Sequence, residues 1–114
     1  MIVKKVALFC IAAALGALSA TAQAAETYKF NLHNKSTDSV INGFRTYENG
    51  AWSKNWINFT LKPGEAAEMD WGSNDGNCVV PFKVSWIGYD AEQFKVDWCK
   101  VKNIYMLDKG FSFD

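Results

Sequence analysis

Two cysteines enclose the stretch that most constrains how this chain folds, Cys78 to Cys99. Apolar residues recur at every second position in both halves of the stretch. They are Val80, Phe82, Val84 and Trp86 in the first half, and Phe94, Val96 and Trp98 in the second. A period of two is the pattern of half-buried β-strands. Gly88-Tyr89-Asp90 is typical of a turn, so the sequence predicts a β-hairpin with one apolar face.

The shared apolar face suggests a register for this hairpin. A turn centred on Tyr89 places Phe82 opposite Val96 and points the two cysteine side chains to opposite faces. A disulfide instead needs converging side chains, with Cα atoms about 4.4–6.8 Å apart. We therefore expect either a β-bulge near residues 79–81 or a Cys78 that lies in the loop before the strand, because proline within strands is confined to edges and bulges.

Residues 1–24 have the pattern of a secretory signal peptide. Two early lysines precede an apolar run rich in Ala and Leu, and Ala22-Gln23-Ala24 is a small-x-small cleavage site. A membrane anchor is the alternative, but the apolar run is shorter than the ~20 residues that a span needs. We expect cleavage after Ala24, a bacterial periplasmic or secreted location, and one mature domain, residues 25–114.

The expected mature domain carries little net charge. Without Lys4 and Lys5, ten basic residues stand against twelve acidic ones, a formal charge of −2. The sequence has no basic block, so it supports neither nucleic-acid binding nor attraction to anionic lipid. It also has no second long apolar segment, so we expect no membrane association after cleavage.

Cys78 and Cys99 are the cysteines within residues 25–114. An even number in a small exported chain predicts a disulfide, and closing a loop of about 20 residues is worth roughly 3 kcal/mol. A redox-active pair is disfavoured because the spacing is not Cys-x-x-Cys. A structural zinc site takes four ligands, and the chain adds one histidine to these cysteines. We expect no metal site and no cofactor.

The rest of the mature sequence also alternates in short runs separated by turns, beginning with Tyr28, Phe30 and Leu32, which alternate with Lys29, Asn31 and His33. Asn49-Gly50 favours a tight hairpin, and Lys62-Pro63-Gly64-Glu65 favours a turn of the Pro-then-Gly kind. Gly43 indicates a bulge or a close backbone approach within a strand, and we predict a further strand over 52–61. No segment of the mature chain has a sustained helical period. The sequence predicts an all-β fold, a small antiparallel β-sandwich of about seven strands with one disulfide.

Arrangements of residues for catalysis are weak. His33 is the one histidine, and Ser36 and Asp38 nearby complete a Ser–His–Asp set on paper, but there is no nucleophile elbow. Glu68 and Asp70 share one strand face, as the two carboxylates of a glycosidase would, although acids on an outer face are commonplace. We therefore expect a protein that is not an enzyme.

Aromatic residues are the unusual feature of the composition. All five tryptophans lie in residues 25–114. If the apolar alternate positions of strand 52–61 face the core, Trp52 and Trp56 lie outside, about 13 Å apart. Such a pair stacks on sugar rings or anchors a protein partner, whereas the alternative is that both pack into the core. Together with Tyr47 and Arg45 they are the candidate ligand-binding residues.

Several short motifs are similar to those of small exported bacterial proteins of unknown function. The motifs are Phe30-Asn31-Leu32-His33-Asn34, Trp52, Leu61-Lys62-Pro63-Gly64, Trp71, Cys78, Phe82-Lys83-Val84 and Asp97-Trp98-Cys99. The shared pattern is a first strand ending in Asn, a central Trp, a Pro–Gly turn and two late cysteines around a hairpin. The resemblance covers nearly the whole mature chain and implies a fold and a compartment, but no activity.

These observations predict an exported, non-enzymatic module that binds a protein partner or a glycan through exposed aromatic residues. The alternative is a small inhibitor of a secreted enzyme, in which the loop 72–77, pinned by Cys78, inserts into its target. The oxygen-rich segment 70–77 also suggests calcium. It lacks the EF-hand spacing, however, and tight loops use the same residue types.

Overall fold

The computed structural model describes residues 2–6, 28–72 and 77–114, which form nine β-strands and one short 3-10 turn. In chain order the elements are β1 Ile2–Val6, β2 Lys29–Asn34, β3 Ile41–Glu48, β4 Ala51–Trp52, β5 Ala66–Asp70, β6 Val79–Trp86, β7 Tyr89–Asp97, η1 Trp98–Lys100, β8 Asn103–Met106 and β9 Phe111–Phe113. One sheet has the order β1-β5-β2-β8-β9 and the other the order β4-β3-β6-β7. The all-β sandwich is confirmed. No helix in the described ranges is long and apolar enough to span a membrane.

The first sheet is built around β2. Phe30 and Leu32 are buried while Asn31 is exposed, which is the alternation that the sequence predicts. On one side β2 runs antiparallel to β5, and on the other it runs parallel to β8, with Leu32 opposite Ile104. The backbone of β1 pairs with the outer edge of β5. β1 lies within the expected signal peptide, and residues 7–24 of that peptide lie outside the described residues.

The second sheet begins with the predicted Asn49-Gly50 hairpin. Both turn residues have positive φ, 55° and 78°, so that β3 turns directly into β4. The register of β3 against β6 shifts between Ile41 and Gly43, which confirms the predicted bulge. This shift places both Ile41 and Phe44 in the core.

The β6–β7 hairpin exists, but the predicted register is wrong by two residues. Phe82 lies opposite Phe94, not opposite Val96, because the turn occupies positions 87–88 and the register shifts between Val84 and Trp86. The apolar residues still share one face, since a shift of two preserves it. Cys78 precedes β6, which is the second of the two predicted ways to form the disulfide.

Pro81 lies inside β6 without a bulge at that position. The β3–β6 ladder ends at the pair Thr46 and Phe82, directly before Pro81 is reached. The missing N–H of the proline therefore removes no bond from that ladder. Pro81 stays paired with Lys95 on β7.

The predicted strand over 52–61 is wrong, because β4 ends at Trp52 and an isolated bridge at Leu61 is the next strand-like contact. In between, Ser53 and Trp56 each donate one backbone N–H to β3, and side chains supply further bonds. The Oγ of Ser53 accepts the backbone N–H of Thr46, and the Oδ1 of Asn55 accepts the N–H groups of both Phe44 and Ile57. The segment thus follows the edge of β3 as an irregular loop.

The core lies between the two sheets and is rich in aromatic rings. Trp98 is its centre, with ring centroids 4.7 Å from Phe30, 5.2 Å from Phe82 and 5.3 Å from Trp71. The predicted core residues Phe82, Trp86 and Trp98 are all buried. Ile57 and Leu61 of the irregular loop are buried as well, whereas the predicted Phe59 is only half-buried.

Candidate functional site

A groove of about 420 Å³ opens on the outer face of the second sheet. We call it the aromatic groove, and the residues that line it are Tyr47, Trp52, Pro81, Gln93, Phe94 and Lys95. They come from two hairpins, β3–β4 and β6–β7, that are far apart in sequence but adjacent in the sheet order β4-β3-β6-β7. Two of the predicted ligand-binding residues, Tyr47 and Trp52, are therefore brought together.

The hairpin turn fixes the geometry of these two rings. Tyr47 and Trp52 are direct cross-strand partners, so their side chains leave the same face of the sheet. Their centroids lie 5.3 Å apart at an interplanar angle of 68°, an edge-to-face contact. Tyr47 is 38% exposed, so its ring is the more accessible of the two.

Lys83 reaches Trp52 from β6, across the intervening strand β3. Its Nζ lies 4.2 Å from the centroid of the Trp52 ring, which is cation–π geometry. The ammonium group therefore covers one face of the indole. The Trp52 side of the aromatic groove therefore has a positive charge beside it.

Arg45 lies beside the aromatic groove rather than in it. It is half-buried on the outer face of β3, directly opposite Lys83 in the register. Its Nη1 lies 3.4 Å from the position that a Cβ on Gly43 would occupy, so the guanidinium extends along β3 away from Tyr47. Arg45 is therefore a predicted ligand-binding residue that lies near Tyr47 in sequence without lining the aromatic groove.

Trp56 does not form a platform with Trp52. Its indole N–H donates to the Oγ1 of Thr46 at 3.0 Å, and Thr46 is a buried residue that faces the core. Trp52 is opposite Tyr47, which faces outward. The two tryptophans therefore lie on opposite faces of β3, because the strand that would have kept them in phase ends at Trp52.

A second cavity, of about 400 Å³, lies beside the β6–β7 turn, and we call it the acidic cavity. Trp86 and Tyr89 contribute aromatic surface, and the acids that line it are Asp38, Asp90, Glu92 and Asp108. Two of these acids have structural partners. Glu92 accepts the indole N–H of Trp86 at 2.9 Å. Asp108 accepts both the hydroxyl and the backbone N–H of Thr37, and these bonds hold its pKa below the ordinary value.

The Ser–His–Asp set considered in the sequence, Ser36, His33 and Asp38, does not form a catalytic triad in the structure. Ser36 is buried and its Oγ donates to the Oδ1 of Asn34 at 2.6 Å. His33 points to the opposite face of β2, where its Nε2 meets the Oδ1 of Asn103 at 2.9 Å and its ring stacks on Tyr105. The two side chains are therefore separated by the strand itself.

The carboxylate pair Glu68 and Asp70 lies half-buried at alternate positions of β5, as the sequence predicts. The Oδ1 of Asp70 accepts the backbone N–H of Gly72, so it serves the turn after the strand. The proposed inhibitory and calcium-binding loop includes residues 73–76, which lie outside the described residues.

A polar network covers part of the outer face of the first sheet. Asn103 donates to the carboxylate of Asp114 at 2.7 Å, and the hydroxyl of Tyr105 donates to the same carboxylate at 3.1 Å. Loss of hydration, followed by this hydrogen bond, raises the pKa of Tyr105 above its ordinary value. A phenol kept protonated here serves as a donor to Asp114, which ties the end of the chain to β8.

The predicted disulfide between Cys78 and Cys99 is confirmed, with a Cα–Cα distance of 5.2 Å. Within the described residues, Asp97 and the two sulfurs place potential metal ligands within 4.8 Å of one another. Both sulfurs are consumed by the disulfide, and the Asp97 carboxylate accepts the N–H of Cys99. This group is therefore a structural clamp on η1.

Sequence reasoning missed the half of the aromatic groove that β6 and β7 contribute. The alternation of 79–86 does place Pro81 and Lys83 on the outward face, and that of 93–95 does the same for Gln93 and Lys95. The missing information was that β3 pairs with β6, which joins these outward faces to Tyr47 and Trp52.

The chain matches no protein-family model, no curated protein and no solved structure.

Proposed function

We propose that this protein is an exported, non-enzymatic carbohydrate-binding module that takes its ligand in the aromatic groove. The observation that carries the proposal is the pairing of Tyr47 and Trp52 on an open, outward-facing groove that also contains the amide of Gln93. A sugar ring has apolar C–H faces and hydroxyl edges. Aromatic walls suit the former, and a few polar groups such as an amide suit the latter.

Export is supported by two features. The Cys78–Cys99 bond belongs to an oxidising compartment, where disulfides form and persist. Residues 1–24 have the charge and hydrophobicity pattern of a cleaved signal peptide. We therefore place the protein in the periplasm or outside the cell, where polysaccharides of the envelope and surroundings are accessible.

Glycan is favoured over a protein partner by the shape of the surface. The aromatic groove is a depression of about 420 Å³ lined by six residues, whereas a protein interface buries about 800 Å² on each partner around a central apolar cluster. The large apolar side chains that are exposed elsewhere, such as Val79, Ile87 and Phe113, lie on different elements and do not line the aromatic groove.

The test is retention of the protein on a panel of insoluble or immobilised polysaccharides: cellulose, chitin, xylan, peptidoglycan, polygalacturonate and alginate. We expect retention on at least one of them. Tyr47→Ala and Trp52→Ala should each weaken that binding by about tenfold or more, because aromatic residues dominate the energy of such sites. Thermal unfolding of each variant verifies that the fold is kept.

Tyr89→Ala is the matched control, since Tyr89 is a more exposed tyrosine (69%) that lies outside the aromatic groove. It should bind like the wild type. Failure of every polysaccharide to retain the protein would overturn the proposal. So would binding that Tyr47→Ala and Trp52→Ala leave unchanged.

A further inference from the structure

We infer that the carbohydrate taken by the aromatic groove is an acidic one, whose carboxylate groups bind Lys83 and Lys95; this rests on the carbohydrate-binding function proposed above. Lys95 lines the aromatic groove, and Lys83 lies over the Trp52 ring at its wall. None of the described residues that line the aromatic groove is acidic. The groove therefore combines stacking surface with positive charge.

The register brings the two lysines close together. Lys83 lies directly opposite Gln93 on β7, and Lys95 lies two positions further along the same strand. Such diagonal neighbours on one face are separated by about 7–8 Å, while the Lys83 ammonium extends over Trp52 on β4, so Lys83 and Lys95 bind different carboxylates of an acidic saccharide chain. Gln93 lines the same groove, and its amide can donate to a hydroxyl or carboxylate oxygen of that chain.

Lys83 also faces a like charge. Arg45 is its direct cross-strand partner on β3, and like charges directly opposite one another destabilise a sheet. The acid that shares the outward face of β7, Asp97, lies near the end of the strand, and its carboxylate caps η1. An anionic ligand above Lys83 relieves the repulsion between Lys83 and Arg45.

Charge is separated between the two cavities. The chain as a whole has equal numbers of acidic and basic residues, yet the acidic cavity contains four carboxylates, whereas the aromatic groove contains Lys95 and lies beside Lys83. A cleft lined by charge of one sign attracts ligands of the opposite sign. This arrangement directs an acidic saccharide to the aromatic groove and repels it from the acidic cavity.

The experiment compares two ligands that have the same rings and differ in charge. Tetragalacturonic acid and its fully methyl-esterified form are titrated into the protein, with binding followed by isothermal calorimetry at low salt. We expect the acid to bind about tenfold more tightly than the ester, the scale of one charge-assisted hydrogen bond. The difference should shrink as salt is raised, because exposed charges are screened.

Variants assign this difference to the two lysines. Lys83→Gln and Lys95→Gln should each remove most of the preference for the acid. The single substitution Lys83→Arg should keep the preference, because Arg keeps both the charge and the stacking on Trp52. Lys109→Gln is the matched control, an exposed lysine on the turn between β8 and β9. It should keep the full preference.

The outcomes separate this inference from the proposed function. Equal binding of acid and ester, or retention on neutral polysaccharides without any binding of the acid, overturns the inference and leaves the carbohydrate function standing. Tight binding of the acid that Tyr47→Ala leaves unchanged is simple ion exchange and overturns both. Absence of binding to all saccharides likewise overturns both.

Discussion

Asn34 shows how much structure one buried polar residue organises in this fold. Its side chain is fully buried at the end of β2. The Nδ2 group donates to the carbonyls of Ser39 and Leu61, both at 2.8 Å, while the Oδ1 atom accepts the backbone N–H and the hydroxyl of Ser36. One amide thus joins the turn after β2 to the segment that leads into β5.

We expect Asn34→Ala to lower the free energy of unfolding by about 3 kcal/mol or more, because several buried donors and acceptors lose their partner at once. Urea unfolding measures the change. Asn31→Ala, on the exposed face of the same strand, is the control and should cost no more than about 0.5 kcal/mol. Equal effects of the two substitutions would contradict the role assigned to Asn34.

At this scale the sequence predicts the apolar core well and the polar core badly. The period of two identified Phe30, Leu32, Phe82 and Trp98 as inward-facing, and all are buried. Asn34 fits the same inward phase of β2, but asparagine is mostly a surface residue, so its burial has no signal in a single sequence. Its partners come from two segments, the turn after β2 and the segment that leads into β5, which only the folded chain brings together.

At the scale of the element, the bulge in β3 depends on one residue, Gly43. A Cβ at Gly43 would lie 2.9 Å from the Oγ and 3.0 Å from the Cβ of Ser85 on β6. Real Cβ atoms do not approach neighbours so closely. Glycine is therefore required here by the close approach of β6, as the sequence pattern suggested.

Gly43→Ala should destabilise the protein by about 1–3 kcal/mol, the usual cost of overpacking a close contact. The double variant Gly43→Ala/Ser85→Gly removes the clashing side chain and should recover part of the loss relative to the sum of the single changes. Denaturant unfolding of the four proteins in this cycle gives the coupling. Strictly additive effects would show that the contact with Ser85 is not the reason for the glycine.

Turns that are marked by a local sequence motif were predicted correctly. The register and the extent of strands, which depend on contacts with residues distant in sequence, were not. Asn49-Gly50 and Lys62-Pro63-Gly64-Glu65 form turns as expected, with positive φ where glycine permits it. The β6–β7 register was missed because the shift between Val84 and Trp86 has no sequence signature. The strand predicted over 52–61 does not form beyond Trp52, because Ser53 and Asn55 bond to the edge of β3 through their side chains.

At the scale of the whole molecule, the order of strands decides where a site forms. β2 pairs in parallel with β8, about seventy residues later in the chain. β3 pairs with β6, although β4 and β5 lie between them in the sequence. Alternation shows which face of a strand is apolar but carries no information on its neighbour. Tyr47 and Trp52 were therefore identifiable as outward aromatic residues, whereas the lysines that accompany them were not.

The disulfide closes the open end of the β6–β7 hairpin. Cys78 lies directly before β6 and Cys99 lies in η1 after β7, 21 positions apart. Between them, the backbone N–H of Trp98 donates to the carbonyl of Cys78, and its indole N–H donates to the carbonyl of Val80. The disulfide therefore holds together the two chain segments that contact Trp98, the residue at the centre of the core.

We expect loss of this bond to cost about 3 kcal/mol, since closing a loop of this length restricts the unfolded chain by that amount. Residues 25–114, the mature domain that we propose, would bury only about 60–65% of their unfolded surface, so this loss would be a large share of the stability. Guanidinium unfolding of the Cys78→Ser/Cys99→Ser variant, followed by tryptophan fluorescence, measures it. The wild type treated with dithiothreitol is the control and should unfold at the same midpoint as the variant. If both unfold where the oxidised wild type does, the packing of Trp98 holds this end of the sandwich without the covalent bond.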